Sequence, residues 1–419
     1  MAFYEIEGPC RLEGSVKVSG AKNSVLKIMA ASLMVPGEVV LKRVPNITDV
    51  HLMAHVLRRL GAIVEQDGNI MRIDASGEIS EEAPYELVTK IRASIQVLAP
   101  LLSRLGRARV ALPGGDAIGS RPIDMHLKAL ERMGATLHSE HGYIEGQVGR
   151  LKGVRTLLEF PSVGATENLI LAAVGAEGRT TIENAAREPE IQDLAAFLSA
   201  CGGRISGAGT PTIDIEGVQS LGSTTHEIVP DRIETGTYAI AAAATQGDVT
   251  LNDCIPRHVE LLLQKLSDAG ASVSTGPDWV RVSMKQRPRS LDLVTLPFPG
   301  FPTDLQPLMM VLLAHADGPS ILTENVFESR FLFVDELNRM GAHIRVEGHH
   351  AVIRGVDRLS GAPVRAPDIR AGAALVAGGL CADGLTRVYD VAHIERGYED
   401  LIGKLDSLGG VLRLVEETV

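Results

Sequence analysis

One pattern recurs six times along the chain: a leucine-rich helical stretch, a glycine with a second small residue, and then an alternating strand. The small pairs are Gly61-Ala62, Gly134-Ala135, Gly202-Gly203, Gly270-Ala271, Gly341-Ala342 and Gly409-Gly410, with first glycines 73, 68, 68, 71 and 68 residues apart. At such a period each copy is one supersecondary unit that buries its apolar face only against its neighbours. Leu52, Val56, Leu57 and Leu60 lead into the first pair, and Leu127, Leu130 and Met133 into the second. This three-to-four spacing predicts a helix, which the glycine ends by accepting a left-handed conformation.

Each copy also opens with a second helix, apolar almost all round, at residues 24–33, 93–102, 167–174, 236–244, 305–314 and 371–380. Helices of that kind must be buried. A short turn and a strand follow each one, so the unit reads buried helix, strand, loop, surface helix, strand, strand. Six units of about 70 residues make an α/β chain of two domains, three copies to each, with the break near residues 222–225. Strand-like residues 3–6 and 15–18 precede the first buried helix and are expected to complete the last copy. The predicted domains are therefore 22–229, and 1–21 together with 230–419, the chain crossing twice.

At 419 residues, 45% hydrophobic, the chain is too long for one core. Only 4% of it is aromatic, so small and aliphatic residues must do the packing and no base-stacking surface is offered. The net charge of −11 argues against nucleic acid or an anionic membrane as partner, and an anionic substrate would need its arginines gathered in one place. Glu5, Glu7 and Glu13 interrupt the start of the chain, where no secretory signal is expected, and the longest apolar runs, 308–314 and 238–244, are far too short to span a bilayer. A soluble, cytoplasmic monomer is expected. Cys10, Cys201, Cys254 and Cys381 form no close pair and read as reduced thiols. His126 and the His349-His350 pair lack ligand spacing, so neither metal nor cofactor is expected.

Equivalent positions of the repeat can be compared. The first turn of the buried helices carries Lys22, Arg92, Thr166, Arg232, Asp304 and Arg370, four of them cations. A cation there is unfavourable by about 0.3 to 1 kcal/mol, because the free N–H groups and the macrodipole attract anions. The recurrence points to helix N-termini aimed at shared sites where an anionic ligand neutralises dipoles and side chains together. The loop after the first strand holds Arg121, Arg187-Glu188, Arg257, Glu328 with Arg330, and Glu395-Arg396. Two domains with arginines at their mouths predict a cleft for phosphate or carboxylate. The glycine-rich loop 113–122, with Asp116 and Arg121, reads as a lid or as a tight turn in which Asp116 bonds its own backbone. It fits neither the P-loop nor the dinucleotide fingerprint. Asp304 by spacing alone is a first-turn carboxylate.

Six segments in one order carry a specific resemblance: Gly20-Ala21-Lys22-Asn23; Leu112-Pro113-Gly114-Gly115 running into Ile118-Gly119-Ser120-Arg121-Pro122; Ser162-Val163-Gly164-Ala165-Thr166; Asn184-Ala185-Ala186-Arg187-Glu188-Pro189; Phe301-Pro302-Thr303-Asp304; and Glu395-Arg396-Gly397-Tyr398. Over essentially the whole chain this resembles the UDP-N-acetylglucosamine 1-carboxyvinyltransferases, of the enolpyruvyl transferase family. The resemblance implies two inside-out α/β barrels and enolpyruvyl transfer from phosphoenolpyruvate to UDP-N-acetylglucosamine, the first committed step of peptidoglycan precursor synthesis. By the same likeness Lys22, Arg121 and Arg396 hold the phosphate, and Arg330 and Arg370 lie near the donor carboxylate. Asn23, Arg92, Asp304 and Val326 line the sugar, while Arg121, Pro122, Ile123, Asp124 and Met125, with Ser162, Val163 and Gly164, hold uridine and diphosphate.

That chemistry needs an acid over C3 of the enol and a base near the sugar hydroxyl, roles for which Asp116 and Asp304 are the candidates, with cations stabilising the departing phosphate. The chain departs from the family pattern at Asp116, where most relatives have Cys, and at Phe160, where some have Lys. Fosfomycin alkylates that Cys, and a carboxylate is a poor substitute for a thiolate, so resistance is expected. The alternatives are transfer to shikimate 3-phosphate, transfer to another uridine nucleotide, and a non-catalytic nucleotide-sugar binding protein. Ser-Lys-Ser, usual at the first helix of the shikimate enzymes, is replaced here by Ala21-Lys22-Asn23.

Overall fold

The computed structural model describes residues 2–116, 118–119 and 122–416. It is a mixed α/β structure of two compact units, one made of Gly20–Gly115 and Pro122–Val229, the other of Met1–Ser19, Asp116–Arg121 and Pro230–Val419. The strands form six four-stranded sheets, and among the described residues none closes into a barrel.

All six sheets share one plan. A short parallel edge strand lies beside a second strand, which continues into two antiparallel neighbours. In the first unit Thr224–Glu227 is the parallel edge for Glu38–Lys42, Glu82–Ala83 for Arg107–Ala111, and Arg155–Leu157 for Arg179–Glu183. In the second unit the corresponding pairs are Glu13–Lys17 with Asp248–Asn252, Leu293–Val294 with Pro319–Thr323, and Pro363–Arg365 with Gly384–Tyr389. Ala2–Gly8 enters the last sheet between Gly384–Tyr389 and Val411–Glu416, antiparallel to both. The expectation that residues 15–18 also complete the last copy fails. Residues 15–17 belong to the strand Glu13–Lys17, whose backbone runs alongside Asp248–Asn252 instead.

Each unit has one apolar core, built on the helices Lys22–Ala31, Leu98–Leu105 and Val163–Val174 in the first and Arg232–Ala244, Gln306–Ala314 and Ile369–Cys381 in the second. Nearly every residue of these helices is buried, as their composition requires, and each buried Leu, Ile or Met contributes about 1.5 to 3 kcal/mol of transfer energy. Small residues permit the close approach: a Cβ on Gly236 would lie 2.3 Å from Leu305 Cδ1. The six glycines of the recurring pairs have φ between 87° and 108°, where a side chain would be strained.

The helix openings differ from the expected positions in three places. Val163–Val174 starts ahead of Thr166, because the Ser162 hydroxyl caps it by accepting the Ala165 N–H at 3.3 Å. Arg92 opens a 3-10 turn, Arg92–Val97, that runs into the helix Leu98–Leu105. Asp304 lies in a 3-10 turn, Thr303–Leu305, ahead of Gln306–Ala314. Asp116, Ile118 and Gly119 go with the second unit. Asp116 is ion-paired to Arg396, and the Ile118 carbonyl accepts the Ser329 N–H at 3.2 Å.

Candidate active-site residues and family

The second unit gathers most of the expected charges. Arg330, buried to 2% exposure, donates from Nη2 to Asp304 Oδ1 at 3.0 Å, and Arg370, 4% exposed, from Nε to Asp304 Oδ2 at 3.3 Å. Arg330 Nε and Arg370 Nη1 are buried with no hydrogen-bond acceptor among the described residues. Burial alone would raise the Asp304 pKa. The charges of Arg370, Arg330 and Arg232 outweigh it and hold the carboxyl well below the usual carboxylate range. Asp304 is therefore an ionised group facing guanidiniums rather than a simple first-turn carboxylate.

Arg370 is placed by its helix. Asp368 Oδ1 caps Ile369–Cys381, accepting the N–H groups of Arg370 at 2.8 Å and Ala371 at 3.0 Å. The ring of Tyr398 lies 5.1 Å from Arg370 Cζ, and its hydroxyl is 2.9 Å from Thr237 Oγ1. Arg330 follows a loop fixed by buried Glu324, whose Oε1 accepts the N–H groups of Val326 at 2.8 Å and Phe327 at 3.1 Å while Thr303 Oγ1 donates to Oε2 at 3.0 Å. One side chain thus ties the Val326 loop to the turn that carries Asp304. Asp116 and Arg396 meet in the same unit, Nη1 donating to Oδ1 at 2.7 Å. Arg232 and Arg257 line a pocket of about 220 Å³ with His258, Phe298, Pro299 and Pro302.

In the first unit Lys22 is the first residue of its helix, buried, with Nζ 2.9 Å from Asp49 Oδ2. Asn23 beside it is half-buried, its carbonyl accepting from Lys27 Nζ at 2.8 Å. The segment 122–125 leads into the helix Asp124–Arg132, with Pro122 and Asp124 exposed and Ile123 and Met125 half-buried. His126 in that helix is buried and 2.8 Å from Asn168 Nδ2, and burial followed by the Arg92 charge depresses its pKa to about 4. A Cβ on Gly164 would come within 3.0 Å of the His126 ring. Gln96 Nε2 donates to the Gly164 carbonyl at 3.1 Å and to Glu167 Oε2 at 2.9 Å. The Arg92 turn, the 122–125 segment and Ser162, Val163 and Gly164 are thus brought together. Phe160 is 39% exposed just before them. Arg121 lies outside the described residues.

Sequence reasoning missed Asp49, Gln96, Glu324 and Tyr398. Tyr398 stands in the Glu395-Arg396-Gly397-Tyr398 segment, two residues after Arg396. For the other three, it is the fold that carries them to Lys22, Gly164 and the Asp304 turn. Anions were expected at the cationic helix ends. Four of the chain's own carboxylates, Asp49, Asp231, Asp304 and Asp368, stand there.

A sequence profile of the EPSP synthase (3-phosphoshikimate 1-carboxyvinyltransferase) family matches residues 6–405. The chain is 54% identical over 413 residues to a UDP-N-acetylglucosamine 1-carboxyvinyltransferase of Corynebacterium jeikeium, covering 99% of both chains. It is 53% identical over 421 residues to UDP-N-acetylglucosamine 1-carboxyvinyltransferase 2 of Carboxydothermus hydrogenoformans, covering 100% of both. Among solved structures, the enolpyruvyl transferase NikO from Streptomyces tendae matches with a TM-score of 0.88 at 27% identity, over 99% of this chain and 98% of that one. The chain is a transferase belonging to the EPSP synthase, or enolpyruvyl transferase, family.

Proposed function

We propose that the protein transfers the enolpyruvyl group of phosphoenolpyruvate to the 3-hydroxyl of UDP-N-acetylglucosamine, releasing phosphate, as the first committed step of peptidoglycan precursor synthesis in the cytoplasm. The observation that supports this most is the cluster of half-buried Asp304 with buried Arg330 and Arg370, whose two N–H donors unmet among the described residues suit a small substrate carboxylate. The names of relatives more than half identical over the full chain favour the nucleotide sugar over shikimate 3-phosphate as acceptor.

In this reading Lys22, Arg121 and Arg396 take the phosphate, and Arg330 and Arg370 the carboxylate. Asn23, Arg92, Asp304 and Val326 face the sugar, with residues 121–125 and 162–164 on the uridine diphosphate. Asp116 protonates C3 of the enol and the sugar oxygen bonds to C2, its proton passing to Asp304. The resulting ketal expels phosphate, which takes up the proton held by Asp304, as the C3–H electrons restore the double bond and the C3 proton returns to Asp116. The same reading takes the six sheets as copies of one unit of about 70 residues, three to each inside-out barrel, with domains at 22–229 and at 1–21 with 230–419.

A phosphate-release assay tests it. Release should require both phosphoenolpyruvate and UDP-N-acetylglucosamine and should fall by about 10²-fold or more in Asp116→Ala. Release that is the same without the sugar nucleotide, or that occurs only with shikimate 3-phosphate, contradicts it. The wild-type protein should keep its activity through incubation with fosfomycin, and covalent mass addition at Asp116 would refute that expectation.

A further inference from the structure

The proposed donor carries two anionic groups, and the chain already places one of its own carboxylates on each set of cations assigned to them. Asp116 sits on Arg396 at 2.7 Å, while Asp304 bridges Arg330 at 3.0 Å and Arg370 at 3.3 Å. Resting on the reading above, we infer that Asp116 and Asp304 are place-holders. The donor phosphate displaces Asp116 from Arg396, and the donor carboxylate takes over part of Asp304's hold on Arg330 and Arg370. Each candidate catalytic carboxylate is thereby released only when its own seat is filled.

Three observations carry this. First, the second unit has two kinds of carboxylate beside cationic helix ends. Asp231 and Asp368 accept backbone N–H groups, at 2.7 and 3.0 Å and at 2.8 and 3.0 Å, so they are built into helix caps and stay with any ligand. Asp116 and Asp304 instead meet guanidiniums, which an incoming anion of the same class can claim. Second, the Asp304 clamp is short of acceptors. Arg330 Nε and Arg370 Nη1 are buried and unmet among the described residues, so a second carboxylate adds hydrogen bonds instead of merely exchanging them. Third, a phosphate dianion outbids a carboxylate monoanion for one guanidinium by charge alone. Asp116 also belongs to a loop anchored at the Ile118 carbonyl rather than to a helix.

The test uses the full-length protein, titrated calorimetrically at fixed ionic strength with inorganic phosphate and, separately, with pyruvate. Asp116→Asn should bind phosphate about tenfold more tightly than wild type and pyruvate equally well, whereas Asp304→Asn should tighten pyruvate and leave phosphate unchanged, each factor of ten being about 1.4 kcal/mol. Phosphate binding that is unchanged or weaker in Asp116→Asn overturns the inference. So does an equal gain for both anions in both variants, which would mark only the loss of a negative charge. If Asp304→Asn does not fold, Asp116→Asn with the two probes decides alone. The outcome is independent of turnover, so an active wild-type enzyme whose Asp116→Asn variant gains nothing for phosphate sinks this exchange and spares the proposed reaction.

Discussion

Asp304 shows how neighbours assign a chemical role to a residue. Burial would favour its neutral form, but two guanidiniums in contact, with Arg232 beyond them, keep it ionised, which suits a base and leaves the acid step to Asp116. Replacing it with Asn should reduce turnover by about 10² to 10⁴-fold, read in steady-state kinetics. Loss of the charge also leaves Arg330 and Arg370 uncompensated, so the thermal midpoint should fall by an amount corresponding to about 3 to 5 kcal/mol. Glu167 behaves in the opposite way. Burial raises its pKa to about 7 despite Lys27 at 3.3 Å. An unfolded Glu ionises near 4.5, so between about pH 4.5 and 7 the unfolded state releases a proton that the folded state keeps, and stability falls as pH rises through that window. Glu167→Gln removes this dependence, so its thermal midpoint relative to wild type should climb by several degrees from pH 5 to 8. A difference that is flat with pH contradicts the assignment. Asp304, Arg330 and Arg370 could be named from the sequence because each occupies a comparable place or a quoted motif. Asp49 could not, since nothing in its neighbourhood announces that the fold will carry it to Lys22.

At the scale of elements, the buried helices were legible because a helix apolar on every side has only one place to go. Their openings were less so, since a single capping side chain shifts a start by a turn: Ser162 begins its helix ahead of Thr166, and the 3-10 turns at Arg92 and Asp304 have no periodic signature. Those openings set where the charged groups stand. Asp231 holds the N–H groups of Ile233 and Glu234, and Asp231→Ala should cost about 1 kcal/mol in denaturant unfolding. The glycines that end the surface helices test the backbone argument. Gly61 has φ of 107°, and a Cβ there would lie 2.3 Å from the Glu78 carbonyl oxygen. Gly61→Ala should therefore destabilise by more than about 1 kcal/mol, whereas at Gly77, with nothing within 4 Å, the same change should be near neutral.

Over the whole molecule, the chain order is not the packing order. Ala2–Gly8 fills the interior of the last sheet, with Phe3 and Ile6 buried, so the two ends of the second unit fold only together. Truncation of residues 1–8 should unfold the second unit while the first keeps its core, and limited proteolysis would show this as a surviving fragment from residues 20–229. That the early strands return was legible as a surplus of strand over helix at the start. Which sheet each joins was not, because backbone pairing leaves no residue-type signature: Glu13–Lys17 and Ala2–Gly8 are close in sequence yet join different sheets. The arginine and carboxylate arrangement at the heart of the proposed reaction is judged most directly by its product. The full-length protein, incubated with phosphoenolpyruvate and UDP-N-acetylglucosamine and followed by mass spectrometry, should yield enolpyruvyl-UDP-N-acetylglucosamine and one equivalent of phosphate. Unchanged sugar nucleotide, alongside an enolpyruvyl adduct of shikimate 3-phosphate in a parallel reaction, would contradict the account.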